Sequence, residues 1–238
     1  KYFDYNVNGT LNILECVKVN NVKKIIYSAS ASCYGIPKKL PTSENSEIDT
    51  KYPYALTKFL GEKLVMHWGK IYKFSSISTR FFNAYGPRSR TSGAYGAVFG
   101  VFLAQKINNK PLTVVGNGKQ TRDFIHVTDL VTALIKILNS SKKDKIYNIA
   151  SGKETSVNKI AKLIGGKKIF IPKRPGEPDI THAKIDLINK KINWKPKTSL
   201  EKGIKIVLKN IDYWKNAPLW TPKKISKATK DWFKFLKK

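Results

Sequence analysis

The sequence predicts an α/β protein built on a mostly parallel sheet. Two observations carry this: short strand-like runs alternate with helical periodicities along the 238 residues, and 41% apolar residues are enough to bury a core. Asn6 to Asn20 places Val7, Leu11, Ile13, Leu14 and Val17 at mostly helical spacing. Lys24 to Tyr27 reads as a buried strand running into the small residues Ser28 to Ser32, then Cys33-Tyr34-Gly35. Pro37 to Thr50 is a polar loop. Tyr54 to Ile71 is a long helix with Leu56, Leu60, Leu64, Val65 and Trp68 on one side. Ser75 to Thr79 is a strand, and Asn83 to Tyr95 a loop turning at Gly86-Pro87.

The second half repeats the alternation. Val98 to Ile107 is a helix and Leu112 to Val115 a strand, closed by the turn Gly116-Asn117-Gly118. Phe124 to Val127 is a strand, followed by a helix from Thr128 to Leu138. Tyr147 to Ala150 and Ile169 to Pro172 are strands flanking a helix at Ser156 to Ile164. Leu200 to Tyr213 is a helix, and Trp232 and Phe233 sit in a small amphipathic one. The first element is a helix, and no Gly-x-Gly-x-x-Gly run follows an early strand. The sheet is therefore expected to lack its opening strands, and the 238-residue chain to retain little or no dinucleotide, whose pyrophosphate needs that turn.

The formal charge of +29 raises the question of nucleic acid. Arginine accounts for only Arg80, Arg88, Arg90, Arg122 and Arg174; the rest of the excess is lysine spread along the whole chain. A nucleic-acid footprint clusters, so no specific nucleic-acid partner is expected. A guanidinium can hold a phosphate or carboxylate bidentately and lysine cannot, so the five arginines are the positions to watch. No run of about 18 apolar residues predicts a membrane span. Two cysteines, Cys16 and Cys33, are too few for a disulfide framework, which points to a reducing, cytoplasmic setting. His67, His126 and His182 lack paired metal-ligand spacing, and His126 reads as structural.

Tyr54-Ala55-Leu56-Thr57-Lys58 carries the sharpest chemistry. Tyr54 and Lys58 share one helical face, one turn apart. A free tyrosine, with a pKa near ~10, is a poor base at neutral pH. A neighbouring ammonium favours its phenolate and makes the pair a tunable acid/base. The bare pair also reads as a core tyrosine beside a solvated lysine. The upstream serines favour the first reading, because open α/β sheets place ligands at strand ends. Ser30 or Ser32 could there hydrogen-bond a substrate oxygen, whereas Ser28 reads as packing.

Ser28-Ala29-Ser30-Ala31-Ser32-Cys33-Tyr34-Gly35, then Pro53-Tyr54 through Lys58 with Glu62, then Arg80-Phe81-Phe82-Asn83-Ala84-Tyr85-Gly86-Pro87-Arg88 resemble the extended short-chain dehydrogenases. Within them the chain is similar to UDP-glucose 4-epimerases and their relatives. Gly116 to Asp129 with Arg122, then Arg174-Pro175-Gly176-Glu177, then Trp194-Lys195-Pro196 continue the match in family order. The resemblance implies a Rossmann-like doubly wound parallel sheet lacking its N-terminal strands, and a smaller α/β substrate-binding domain. Residues 1–86 and about 123–150 would belong to the NAD-binding domain, 87–122 and 151–215 to the nucleotide-sugar-binding domain. Residues 216–238 form a tail that caps the chain or docks its aromatics on the substrate domain or a partner subunit.

The same resemblance implies the roles. Tyr54 is the acid/base at the sugar 4-hydroxyl, Lys58 binds the nicotinamide ribose, and Ser30 stands at the catalytic Ser/Thr position. Asn6, Ser30, Tyr54, Lys58 and Phe82 form the cofactor side. Ser32, Asn83, Arg88, Arg122, Arg174 and Glu177 form the substrate side, with Arg122 and Arg174 on the diphosphate and nucleoside ribose. Arg90 shares the substrate loop with Arg88, and Arg80 is a structural candidate. Two departures matter. Tyr5 replaces a family asparagine, leaving Asn6 alone. Ala31 and Ser32 replace the Asp-Glu pair of the dehydratases, so dehydration lacks its acid and base. The implied activity is 4-epimerisation of a UDP-sugar (glucose/galactose or the N-acetyl analogues) through transient hydride transfer to NAD and a 4-keto sugar. The alternatives are a related epimerase, decarboxylase or reductase, or a non-catalytic fragment. Where the galactose epimerases have a bulky aromatic several residues after the second diphosphate arginine, Asp179 to Ala183 offers only His182 as a ring, so the resemblance implies a pocket with room for an N-acetyl group. A homodimer through the Asn6 and Tyr54 helices is the implied assembly.

Overall fold

A computed structural model describes residues 1–89, 98–143 and 145–236. A π-helical turn (Asp4–Asn8) leads into α1 (Gly9–Val19), then β1 (Lys24–Ser30), α2 (Pro53–Tyr72), β2 (Ser75–Phe81) and β3 (Asn83–Tyr85). There follow α3 (Val98–Ile107), β4 (Leu112–Val115), β5 (Thr121–His126), α4 (Val127–Leu138), β6 (Lys145–Ile149) and β7 (Glu154–Ser156). The chain continues through α5 (Val157–Ile164), β8 (Lys168–Ile171), α6 (Asp186–Ile192), α7 (Leu200–Lys209), α8 (Pro222–Ala228) and α9 (Lys230–Leu236).

The alternation and the parallel pairing stand, but the strands form three small sheets among the described residues. The first is parallel, in the order β1-β2-β6, with Ser30 opposite Phe81 and Phe81 opposite Ile149. The second runs β3-β5-β7, and β5 and β7 are antiparallel. The third pairs β4 with β8 in parallel. Asn83 to Tyr85, expected as loop, is a strand because it pairs with Phe124 to His126. Ser28 to Ser30, too small to signal a strand, extend β1 because Thr79 to Phe81 lie opposite. Helices α6 and α8, seven residues each and lysine-rich, fall below the length at which periodicity shows.

The termini of the helices are locally determined. Pro53 opens α2, where its missing N–H costs nothing, and Lys73 ends it in the left-handed region. Ser156, Ser199 and Thr221 cap α5, α7 and α8 through their hydroxyls. His126 caps α4 by accepting from the Thr128 N–H, so its role is the structural one expected. Leu14, Val17, Val65 and Phe74 bury the α1–α2 face against the first sheet. Ile77, Ile125, Ile137, Tyr147, Ile149 and Trp194 fill its other side. A second core gathers Phe99, Phe102, Leu112, Ile160 and Trp214 around the other two sheets. No helix among the described residues is long and apolar enough to cross a membrane.

One close approach fixes α2 on β1. A Cβ at Gly61 would press into the Tyr27 hydroxyl and lie 2.7 Å from the Asn6 carbonyl oxygen. The backbone would have to move to admit it. Gly61→Ala is therefore expected to cost about 1–3 kcal/mol, as overpacked cores do. A lower urea midpoint with an unchanged slope checks this.

Candidate active site

The C-terminal end of β1 and the first turn of α2 bring four of the expected residues together. Ser30 closes β1 in extended conformation, and its Oγ accepts from the Ser32 N–H at 3.2 Å and the Ser32 hydroxyl at 2.8 Å. Ser32 neighbours Tyr52, the extended residue immediately before α2. Tyr54 follows in the first turn, 37% exposed, with the Tyr2 ring edge-on at 5.7 Å. One turn on, the Lys58 Nζ lies 4.5 Å from the centroid of the Tyr27 ring. Burial lowers its pKa, and no carboxylate among the described residues pairs with it. A half-buried ammonium held over a ring keeps its donors for hydroxyls that enter the site. Beneath it the Asn6 amide donates to the Thr57 hydroxyl at 3.0 Å, while that hydroxyl donates to the Tyr54 carbonyl at 3.2 Å. Asn6 thus braces the helix turn that carries Tyr54; Tyr5 is exposed.

A buried ion pair anchors the same helix. Glu62, one turn beyond Lys58, takes Arg80 of β2 in two parallel bonds, Nη2–Oε1 at 2.6 Å and Nε–Oε2 at 2.9 Å. Ser78 donates to the same carboxylate at 2.8 Å. Arg80 also donates to the Tyr34 hydroxyl at 2.9 Å and the Glu44 carbonyl at 3.1 Å, and Tyr34 donates to Asn148 at 2.7 Å. Burial works most strongly against the Arg80 charge, but the Glu62 bonds together with neighbouring Tyr34 and Cys33 hold its proton above the ordinary arginine range. Arg80 is structural: it ties the turn after Ser30, α2, β2 and β6 into one unit.

Two of the remaining arginines, Arg122 and Arg174, form a second cluster. The Thr121 N–H donates to the Asp179 carbonyl at 2.8 Å, and the Thr181 N–H to the Thr121 carbonyl at 3.2 Å, which lays the loop after β8 along β5. Arg174 and Glu177 from that loop meet Arg122 from β5. Arg174 Nη1 pairs with Glu177 Oε1 at 3.0 Å, and Arg122 Nη2 with Glu177 Oε2 at 3.8 Å. Arg122 further donates to the Thr121 carbonyl at 2.8 Å. Burial pulls the Arg122 pKa down, and Glu177 opposes that. Two guanidiniums converging on one carboxylate are an arrangement that can hold an anion.

Tyr52 links the halves. Burial raises its pKa, and its hydroxyl lies within electrostatic reach of Tyr54, Glu177 and Arg122. Sequence reasoning passed over it, because nothing in the motif marks the residue before Pro53. Asn83 is exposed on β3, with the Thr181 hydroxyl 3.5 Å from its Oδ1 on the arginine side. Phe82 is half-buried at the end of β2, its ring 6.4 Å from that of Tyr34. Arg88 is exposed with a φ of 63°, and no contact among the described residues joins it to Arg122 or Arg174. Arg90 lies outside the described residues. His182 sits 3.1 Å from the Gly152 carbonyl, and no group of three potential metal ligands occurs among the described residues.

Fold and site together define an α/β protein with a Tyr–Lys pair on the helix packed against a parallel strand, and a separate pair of arginines sharing one carboxylate. Residues 1–150 match the model of the NAD dependent epimerase/dehydratase family. The rice (Oryza sativa subsp. japonica) UDP-glucose 4-epimerase 2 is 34% identical over 230 residues, covering 84% of this chain and 55% of its own. The UDP-N-acetylglucosamine 4-epimerase of Methanobrevibacter ruminantium, solved with UDP-N-acetylmuramic acid, superposes with a TM-score of 0.83 at 27% identity, over 88% of this chain and 69% of its own. The UDP-glucuronic acid 4-epimerase of Bacillus cereus, solved with UDP-glucuronic acid and NAD, does so at 0.80 and 30%, over 87% and 67%. The chain spans about half of the rice enzyme and two-thirds of the other two. It belongs to the NAD dependent epimerase/dehydratase family, within the extended short-chain dehydrogenases.

Proposed function

We propose that this chain carries the acid/base and substrate-holding residues of a nucleotide-sugar 4-epimerase. The observation that supports it most is Tyr52, two residues before Tyr54, within electrostatic reach of Tyr54, Arg122 and Glu177 and joined through the Trp232 ring to Pro175 beside Arg174. A diphosphate suits two guanidiniums better than the single Glu177 carboxylate they now share. A sugar attached to that diphosphate then extends towards Tyr54. There Tyr54 takes the proton of the C4 hydroxyl and returns it to the opposite epimer, while Ser30 hydrogen-bonds the same oxygen. Ser32 serves the sugar side, Asn83 the diphosphate side, and Arg88 belongs to the substrate loop.

The residues present fit the nicotinamide-ribose end of NAD. Lys58 offers the donors of a half-buried, carboxylate-free ammonium to the ribose hydroxyls, with Ser30, Tyr54 and Phe82 around it and Asn6 bracing the turn. When bound, NAD supplies reversible hydride exchange at C4, so the reaction has no net redox change. The chain's own part is to orient the sugar, exclude water and move the proton at Tyr54. Ala31 and Ser32 carry no carboxylate, which supports epimerisation over dehydration. His182 turns to the Gly152 carbonyl, which supports a pocket with space for an N-acetyl group. Exposed Ile13 on α1 and Leu56 on α2 support pairing of these helices with a second copy. The free thiols of Cys16 and Cys33 suit a cytoplasmic setting.

Arg174→Ala tests the reading. Losing a charge-assisted bond of about 1.5–3 kcal/mol should weaken UDP-sugar binding roughly 10- to 150-fold. Calorimetric titration with UDP-glucose and UDP-N-acetylglucosamine measures it. Unchanged affinity for both sugars would remove the clamp, and with it the proposed substrate class.

A further inference from the structure

The C-terminal tail reaches into the site. The Trp232 ring of α9 packs on Tyr52, centroids 5.5 Å apart at 41°, and its Nε1 donates to the Pro175 carbonyl at 2.5 Å. Tyr52 adjoins the Tyr54 turn, and Pro175 lies between Arg174 and Glu177. One side chain therefore bridges the acid/base half and the arginine half. The tail that presents it is anchored. The Gln105 amide donates to the Trp220 carbonyl at 2.8 Å, Ile225 is buried, and the buried Thr229 hydroxyl donates to the Ile225 carbonyl at 2.9 Å.

We propose that Trp232 is a sugar-contacting residue, and that α8 and α9 form the outer wall of the substrate site rather than a mere cap on the chain. The inference rests on the nucleotide-sugar reading. A ligand held at Arg122 and Arg174 that presents its sugar to Tyr54 passes from the Pro175 loop to the Tyr52-Pro53-Tyr54 segment, the two pieces of chain that Trp232 joins. Trp232 stands over that crossing. An indole face and a phenol ring offer an apolar surface to the C–H face of a hexose, and the Tyr52 hydroxyl adds a polar tip. On the nucleotide-sugar reading the nucleoside extends from the arginines in the direction opposite to Tyr54, away from this ring pair. Trp232 accordingly acts on the sugar and not on the nucleotide that carries it, and sets how large a sugar substituent the site accepts.

Titrating the 238-residue chain and its Trp232→Ala variant with UDP and with UDP-glucose tests this. The variant should bind UDP-glucose about tenfold more weakly, the value of one aromatic contact of about 1.4 kcal/mol, and bind UDP within about twofold of the parent. Trp232→Phe should recover most of the loss. Tyr52→Leu, which removes the opposite ring, should give the same split and covers the case in which the Trp232→Ala tail fails to seat. Equal loss for UDP and UDP-glucose, or no loss for either, overturns the sugar contact. If the parent chain itself binds neither compound, the nucleotide-sugar reading falls first and takes this inference with it.

Discussion

Tyr54→Phe is expected to lower kcat for sugar epimerisation by about 10²- to 10⁴-fold, the range of a positioned acid/base. The substitution removes one oxygen from a side chain that is 37% exposed, so stability should be unaffected. The ring that packs against Tyr2 remains. UDP-sugar affinity, set by the arginine clamp, should stay within about twofold because the lost bond matters only in the proton-transfer step. Steady-state kinetics together with a binding titration separate these terms. A variant whose KM rises while kcat holds would make Tyr54 a binding residue and not the acid/base.

Glu62→Ala should be the most destabilising single change in the site region, at about 3–5 kcal/mol. Both partners are almost fully buried, at 1% and 3% exposure, so the Arg80 guanidinium would be left charged without its carboxylate. Few domains have more than about 5–15 kcal/mol to lose. Removing the charge from both sides, as in the double variant Glu62→Leu with Arg80→Leu, should restore much of the loss, because apolar replacements of a buried pair come near to breaking even. Urea unfolding of the single and double variants measures both. A cost below about 1 kcal/mol for Glu62→Ala would show that water reaches the pair.

What the sequence discloses is what depends on near neighbours. Tyr54 and Lys58 lie one turn apart in any helix, and the Pro53 that starts that helix is visible beside them. The long helices and the longer apolar strands follow from periodicity for the same reason. What escapes is set by contacts between distant segments. Asn83 to Tyr85 become a strand only because Phe124 to His126 lie opposite. Splitting into three sheets depends on where the strands pair, which side-chain pattern does not encode. Arg80 could be suspected of a structural role from its place in the motif. Its partner Glu62, eighteen residues away, was in view as a motif residue, but the bond between them was not. Tyr52 was out of reach, and Trp232, visible as a tail aromatic able to dock, could not be given its partner, since their contact joins residue 52 to residue 232 across a tail whose first helix is too short to signal itself.

Glu177 gives the arginine cluster a property that a bare pair of cations would lack. The protein carries a formal charge of +29, so small anions crowd its whole surface. An open pair of guanidiniums would be saturated by whichever of them was most abundant. Here the seat is already taken by a tethered carboxylate that bonds Arg174 at 3.0 Å and reaches Arg122 at 3.8 Å. A chloride or a lone carboxylate that displaces it merely exchanges one negative charge for another. A visitor with two linked phosphates brings more charge than it evicts, and gains further where its other end finds a surface of its own. On the proposed reading, Glu177 would set an entry threshold that admits by contest rather than by shape.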